Sequence, residues 1–408
     1  RYVGLDVISA DQIEMVEITK VLTPDMDADG IGGNVNIITK KALDQKPEIS
    51  AAISGGYNNL RQTENYQVQF SYSARYGKFG FHVNGSYYEN NLGSDNMEFD
   101  YIKGPFWGSQ SDSIDNYKVQ YKKMELRHYD ITRTRVGVST TMDYIFSQGS
   151  SIYLRGMFNS FSDKELRRRK TYETADAISE TLYRDCSVAH DIRDHTETQE
   201  IYTLNFGGMH NLGKAKIDYE TAFAFASEKE PDRLETTFDS PGHGVVMKFD
   251  LTDPNWPTVS FPTAGDEELV NNYTKYEFDD LKLENNLITD INTTFRLNLE
   301  IPYRSGSFKF GGKMRFKEKE RNDNSKVYSG YPYSKLINPY PGTVNPLTLP
   351  GISDGFVNNN LLNHSYVIEM MPGPQQMRDF YEYNTHQFVY DATDTRQESY
   401  GSDYKAQE

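Results

Sequence analysis

The sequence predicts a mainly β fold of the transmembrane antiparallel barrel type. Three observations predict it. Apolar and polar residues alternate through long segments, as they do when the two faces of a strand meet different media. Short connections alternate with long polar ones. Aromatic residues are abundant, with 30 Tyr and 22 Phe among 408 residues; girdles flanking a membrane-crossing sheet explain that excess, and so would aromatic-rich binding loops. The mean hydropathy of −0.71 is compatible with this, because alternating strands produce no hydropathy peak. A formal charge of −16, from 59 acids against 43 bases, disfavours a nucleic-acid binder. The one cysteine, Cys186, excludes a disulfide framework and a four-cysteine zinc site. No run of 18 apolar residues marks a transmembrane helix.

The first 42 residues differ from the rest of the chain. Ile13 to Ile18 alternates as a half-buried strand does. Thr23-Pro24-Asp25 interrupts it, since proline lacks a donor and fixes φ. Gly30, Gly32 and Gly33 permit close backbone approach, and Asn34 to Thr39 reads as a second strand. Nine alternating strands are then predicted near 48–58, 64–75, 79–91, 129–147, 152–168, 197–211, 215–229, 277–301 and 308–321. Phe308, Phe310, Met314 and Phe316 share one face of the last, for example, while Lys309, Lys313, Arg315 and Lys317 share the other. Tight turns are expected at 75–78, 147–151, 212–214 and 302–307. The other connections, 92–128, 169–196, 230–276 and 322 onward, read as long polar loops. The connection 59–63 is short where a long one was due. A β-sandwich or β-helix also alternates, but its strands usually run to about 5–6 residues. Nine strands do not close an even-numbered barrel, and an open edge in lipid has no partner, so further strands are expected beyond residue 408.

Ile13-Glu14-Met15-Val16-Glu17-Ile18-Thr19-Lys20, followed by Gly30-Ile31-Gly32-Gly33-Asn34-Val35-Asn36-Ile37-Ile38-Thr39-Lys40, resembles the end of the plug domain of TonB-dependent outer-membrane receptors. The motif covers about 30 residues; the rest of the chain matches by pattern only. The segment Thr23 to Asp29 departs from the family's usual Gly-Pro and Tyr-Gly pairs and looks like an acidic subgroup, unlike the glycan-importing branch with a lipoprotein lid. The resemblance implies residues 1–46 as the last part of an α+β plug and linker, and 47–408 as the first part of a 22-stranded barrel. It implies a non-enzymatic transporter in a Gram-negative outer membrane, in contact with lipid and lipopolysaccharide. Ligand binding at outer loops is coupled in that family to the TonB–ExbB–ExbD complex. The cargo class is siderophore, haem, cobalamin, glycan or peptide. A signalling receptor is a second reading. A structural or adhesion barrel with a lipoprotein or protein-assembly partner is a third.

Other features invite chemistry. Asp25, Asp27, Asp29 and Gly30 copy half of an EF-hand loop, but the twelfth position is Asn36 rather than Glu, and a solvated acidic turn is the plainer reading. The stretch from Gly30 to Gly33 lacks the helix and Lys-Ser/Thr pair of a phosphate cradle. His190, Asp191, Asp194 and His195 form the densest potential ligand cluster, read as part of a loop. Phe106, Trp107 and Trp256 lie among polar loop residues, as sugar- or peptide-binding rings do; ordered loop packing explains them equally. Lys309, Lys313 and Arg315 form a basic stripe on the inferred inner face, suited to an anion or to pairing with neighbouring carboxylates. No cofactor or resident metal is expected.

Overall fold

A computed structural model describes residues 7–21, 33–42, 44–104, 118–241, 244–304, 306–331, 347–399 and 403–407. The plug-type segment forms strands β1 (Ile13–Thr19) and β2 (Asn34–Thr39), paired antiparallel. Nine long strands follow among the described residues: β3 (Glu48–Asn58), β4 (Thr63–Tyr76), β5 (Phe79–Gly104), β6 (Lys118–Ser147), β7 (Ser150–Glu173), β9 (Leu182–Asn211), β10 (Lys216–Asp239), β13 (Glu277–Tyr303) and β14 (Gly306–Gly330). The short β8 (Asp176–Ala177) lies between β7 and β9, and β11 (Val245–Asp250) and β12 (Thr258–Ser260) lie between β10 and β13. The long strands pair antiparallel in the order β3-β4-β5-β6-β7-β9-β10-β13-β14. The sheet is all next-neighbour and remains open between β3 and β14 among the described residues.

Tight turns join the strands at one end. Gly77, Gly149 and Gly213 take φ of +60°, +78° and +82° there, the left-handed region that hairpin turns demand and glycine adopts without a Cβ penalty. From this end, the two faces of the sheet diverge. One face, here the outer, exposes Val68, Phe70, Leu204, Phe206, Phe295, Leu297, Phe310 and Met314. The other, inner face carries Ser86, Ser139, Thr141, Asn159 and Lys309, Lys313 and Lys317 of β14. Aromatic residues bound the outer apolar band. Tyr76, Phe79 and Tyr144 lie side by side near the tight turns. Tyr66 and Tyr87 stack at 5.9 Å on the far side, and both hydroxyls donate to Glu89. The ten residue steps from Tyr66 to Tyr76 within β4 span about 33 Å at ~3.3 Å per residue, or about 25 Å of height at a tilt near 40°.

The strands run further than sequence alternation indicates. Segments 92–104, 118–128, 169–173 and 182–196 are not loops but continuations of β5, β6, β7 and β9. Charged residues on both faces conceal the alternation there, and cross-strand ion pairs replace apolar contacts as the stabilising rungs. Over this extended part the outer face is covered. The cover comprises β11, β12, α1 (Ala264–Asn271), α2 (Leu349–Ile352), β15 (Val357–Leu361), β16 (Tyr366–Glu369), α3 (Pro374–Asn384) and β17 (Val389–Tyr390). Ile192, Leu234, Phe238 and Leu281 of the sheet are sealed against Met247, Phe249, Leu349, Ile368 and Met377 of the cover, each at most 1% exposed. An ionic clasp adds direction to this apolar contact. Arg168 pairs with Asp130 at 2.9 Å and with Asp354 of the cover at 2.7 Å. His128 Nδ1 lies 2.7 Å from Asp95. Burial opposes the His128 charge, but Asp130 and Asp95 outweigh it and hold its pKa above the ordinary value. Along the edge of β14 that faces away from β13, α4 (Ala392–Ser399) caps the Ser325 and Val327 N–H groups, and β18 (Tyr404–Gln407) adds a short further strand.

Candidate plug seat and inner wall

The plug-type residues assemble as a hairpin. Val16 faces Ile37, Glu17 faces Asn36 and Thr19 faces Asn34, with the Asn36 amide donating to Glu17 at 3.3 Å. Ile13 opposes Thr39 across an irregular register that skips Glu14. Gly33 takes φ +130°, and a Cβ there would stand 2.6 Å from the Thr19 carbonyl oxygen. Gly30, Gly32, Asp25, Asp27 and Asp29 lie outside the described residues, as do Phe106 and Trp107.

The turn that precedes β1 sits on the polar inner face of the sheet. Gln12 is fully buried and accepts from the Asn159 amide at 3.1 Å. The Ser9 N–H donates to Asn159 Oδ1 at 3.3 Å, and its hydroxyl meets that of Ser86 at 2.8 Å. Gly137 makes room: a Cβ at this position would stand 2.7 Å from Gln12 Nε2 and 2.9 Å from Ser9 Cβ. The exit from the hairpin is also tied down. Arg75 donates to the Ala42 carbonyl at 2.8 Å and pairs with Asp143 at 2.7 Å. Sequence reasoning found the hairpin but not this seat, whose residues (Ser86, Gly137, Asn159) carry no motif.

Further along the strands, the inner wall becomes an ion-pair lattice. Arg127 bridges Glu98 and Glu125, Arg169 joins Glu125 to Asp191 at 3.0 and 2.6 Å, and Arg167 reaches Asp191 at 2.9 Å. His195 lies 2.8 Å from Glu230 and 3.6 Å from Glu165. Glu165 and Glu230 raise the His195 pKa to about 9. Burial opposes the Glu165 charge, but His195 and Arg193 prevail and bring its pKa down to about 2. At the far end, burial and neighbouring carboxylates push Asp239 up to about 7 and Asp280 up to about 6.

The predicted histidine–aspartate cluster is divided by strand alternation. His190 and Asp194 point to the outer face beneath the cover, where His190 Nδ1 meets the Met370 carbonyl at 3.1 Å and Arg378 pairs with Asp194. Burial, chiefly, lowers the His190 pKa to about 3. Asp191 and His195 point inward. The four residues therefore do not converge on one ion, because i and i+1 on a strand face apart. Among the described residues no group of three or more His, Cys, Asp or Glu is arranged to hold a metal. Cys186 is buried, and burial pushes its thiol up to about 11.

Lys309, Lys313 and Arg315 do share the inner face of β14. Their cross-strand neighbours are Glu300, Arg296 and Thr294, and Lys313 and Arg315 each engage a partner. Lys317 pairs with Asp290 at 2.9 Å. Trp256 stacks on His364 at 3.7 Å within the cover, so one ring face is taken up by internal packing.

Neither a protein-family profile nor any curated protein matches the chain. Two solved structures from Acinetobacter baumannii show a loose likeness. The siderophore receptor PiuA has 10% identity and a TM-score of 0.26 over 82% of this chain and 57% of that one. BauA, the ferric preacinetobactin receptor, has 9% identity and a TM-score of 0.18 over 77% of this chain and 52% of that one. This chain thus spans a little over half the length of these receptors. Superposition this loose transfers neither ligand nor mechanism.

Proposed function

We propose that the chain is part of a TonB-dependent outer-membrane receptor that imports a scarce, bulky ligand, and that its role is transport rather than catalysis. The observation that carries this reading is the seating of the turn that leads into the plug-type hairpin on the polar face of a sheet whose opposite face is an apolar band about 25 Å high. That height matches the hydrocarbon band crossed by outer-membrane barrels. A polar inner face occupied by a separate segment makes an occluded lumen rather than an open pore. The inner-wall ion-pair lattice then lines the extracellular mouth, and the tight turns face the periplasm. Siderophore, haem, glycan and peptide remain the cargo classes in view.

The test uses the full-length gene in its native host. The protein is purified in detergent for native mass spectrometry, and uptake of any copurified small molecule is measured with and without TonB. Uptake that requires both the gene and TonB supports transport. A stoichiometric protein partner, with no small molecule and no TonB-dependent uptake, overturns it in favour of a surface assembly.

A further inference from the structure

Laterally paired residues on the inner face form successive rows from the plug seat outward. The seat row contains Ser86, Gly137 and Asn159. The next inward-facing row toward the mouth contains Tyr88, Arg135 and Phe161. The Arg135 guanidinium carbon lies 5.8 Å from the Tyr88 ring centre and 5.1 Å from that of Phe161. Its buried Nε has no hydrogen-bond partner, and among the described residues Arg135 enters no ion pair. Among the described residues no carboxylate is paired with it: Asp11, the acid nearest the seat row, accepts from the Ser9 hydroxyl at 3.2 Å, and on the following row Asp163 is already engaged by Arg133 at 3.1 Å.

This environment is unusual for the inner wall, where the arginines nearer the mouth are matched to carboxylates. Aromatic rings beside a guanidinium hold it by cation–π attraction and fix its plane. They offer no acceptor to its in-plane N–H groups, which are the donors that match an oxyanion bidentately. A cation whose buried Nε has no partner among the described residues, one row outside the plug seat, stands where cargo entering from the mouth first meets the plug.

We infer that Arg135, framed by Tyr88 and Phe161, anchors an oxyanion of the incoming ligand, a carboxylate or a phosphate attached to a flat apolar body. This rests on the transport reading above and adds the ligand's chemical class. The two rings pack the body while the guanidinium edge takes the charge.

The test titrates the full-length protein in detergent with benzoate, phenyl phosphate and benzamide, followed by saturation-transfer NMR. Benzoate or phenyl phosphate saturates, the tighter of the two identifying the oxyanion, and neutral benzamide does not bind. Arg135→Gln weakens anion binding at least ten-fold, and Arg135→Lys weakens it less. Lys164→Gln, on the outer face, leaves it unchanged. Phe161→Leu keeps the charge and carries the test if Arg135→Gln fails to fold; it weakens benzoate more than acetate. Equal anion binding by wild type and Arg135→Gln overturns the inference, and so does the absence of anion binding to wild type. TonB-dependent uptake without anion binding removes this site alone. Anion binding without TonB-dependent uptake removes the transport reading and leaves the site.

Discussion

Gly137→Ala is the sharpest perturbation of the seat that holds the turn preceding β1. The added Cβ would stand 2.7 Å from Gln12 Nε2, 2.9 Å from Ser9 Cβ and 3.0 Å from Asn159 Oδ1. No rotamer relieves a Cβ, so either the sheet or the turn must move. The sheet is held by continuous ladders on both sides of Gly137, so the turn moves. Moving it breaks three contacts: Ser9 to Asn159, Ser9 to Ser86, and Asn159 to Gln12. At about 1 kcal/mol each, the seat loses about 3 kcal/mol, close to a hundred-fold in its docking equilibrium. Hydrogen exchange on the full-length protein reads this directly. Amides of residues 7–18 are expected to exchange about a hundred-fold faster in Gly137→Ala, while those of 79–88 in β5 keep their protection. Unchanged exchange at 7–18 would refute the seat, since it would mean that this turn does not rest on the row containing Gly137.

Three further outcomes are expected. Arg75→Ala leaves the half-buried Asp143 without its cation and the Ala42 carbonyl without its donor; it is expected to cost about 2–3 kcal/mol, read as a lower urea midpoint, with Arg75→Ala/Asp143→Asn recovering part of the loss. His195 has a pKa raised from 6.5 to about 9, so its stabilisation is complete below pH 6.5 and lost as pH rises toward 9. This amounts to about 2 kcal/mol once sharing with Glu165 is allowed for; His195→Gln should flatten the alkaline slope of urea midpoint against pH. Leu297→Arg places a charge near the middle of the outer apolar band at a cost of about 2–4 kcal/mol, so less folded protein should be recovered from outer membranes, whereas Lys309→Gln on the inner face should leave recovery unchanged.

Much of the strand framework was readable from periodicity. The predicted start of β5 at residue 79 and the predicted 48–58 segment coincide with the strands observed, because Phe79, Phe81 and Val83 alternate cleanly with His82 and Asn84. The outer ends of β6, β7 and β9 were not readable. Arg127 and His128, Arg167 to Arg169, and Asp191, Arg193 and Asp194 put ionisable side chains on both faces, so little apolar rhythm marks the strand. What distinguishes Arg168 from Arg169 is the surface each one meets. Arg168 clasps the cover through Asp354, and Arg169 joins the inner lattice through Glu125 and Asp191. Trp256 illustrates the same limit: its stacking partner His364 is more than a hundred residues away in the chain.

By itself the sequence determined the fold class, the nine-strand framework, the hairpin motif of residues 13–39 and the sidedness of the β14 basic stripe. Each depends on local period or on contiguous residues, and two-residue alternation fixes side-chain direction without any knowledge of neighbours. Only the tertiary structure decided which inner-face row receives the turn preceding β1, that the cover seals the outer face of the extended strands, and that His190 and His195 part company. It also placed Arg135 between two rings, with no carboxylate paired to it among the described residues. Those outcomes depend on lateral register between distant strands, which pairs Gly137 with Ser86 and Asn159 and Arg135 with Tyr88 and Phe161. Register is set by the whole sheet at once, through turns, ladders and packed faces.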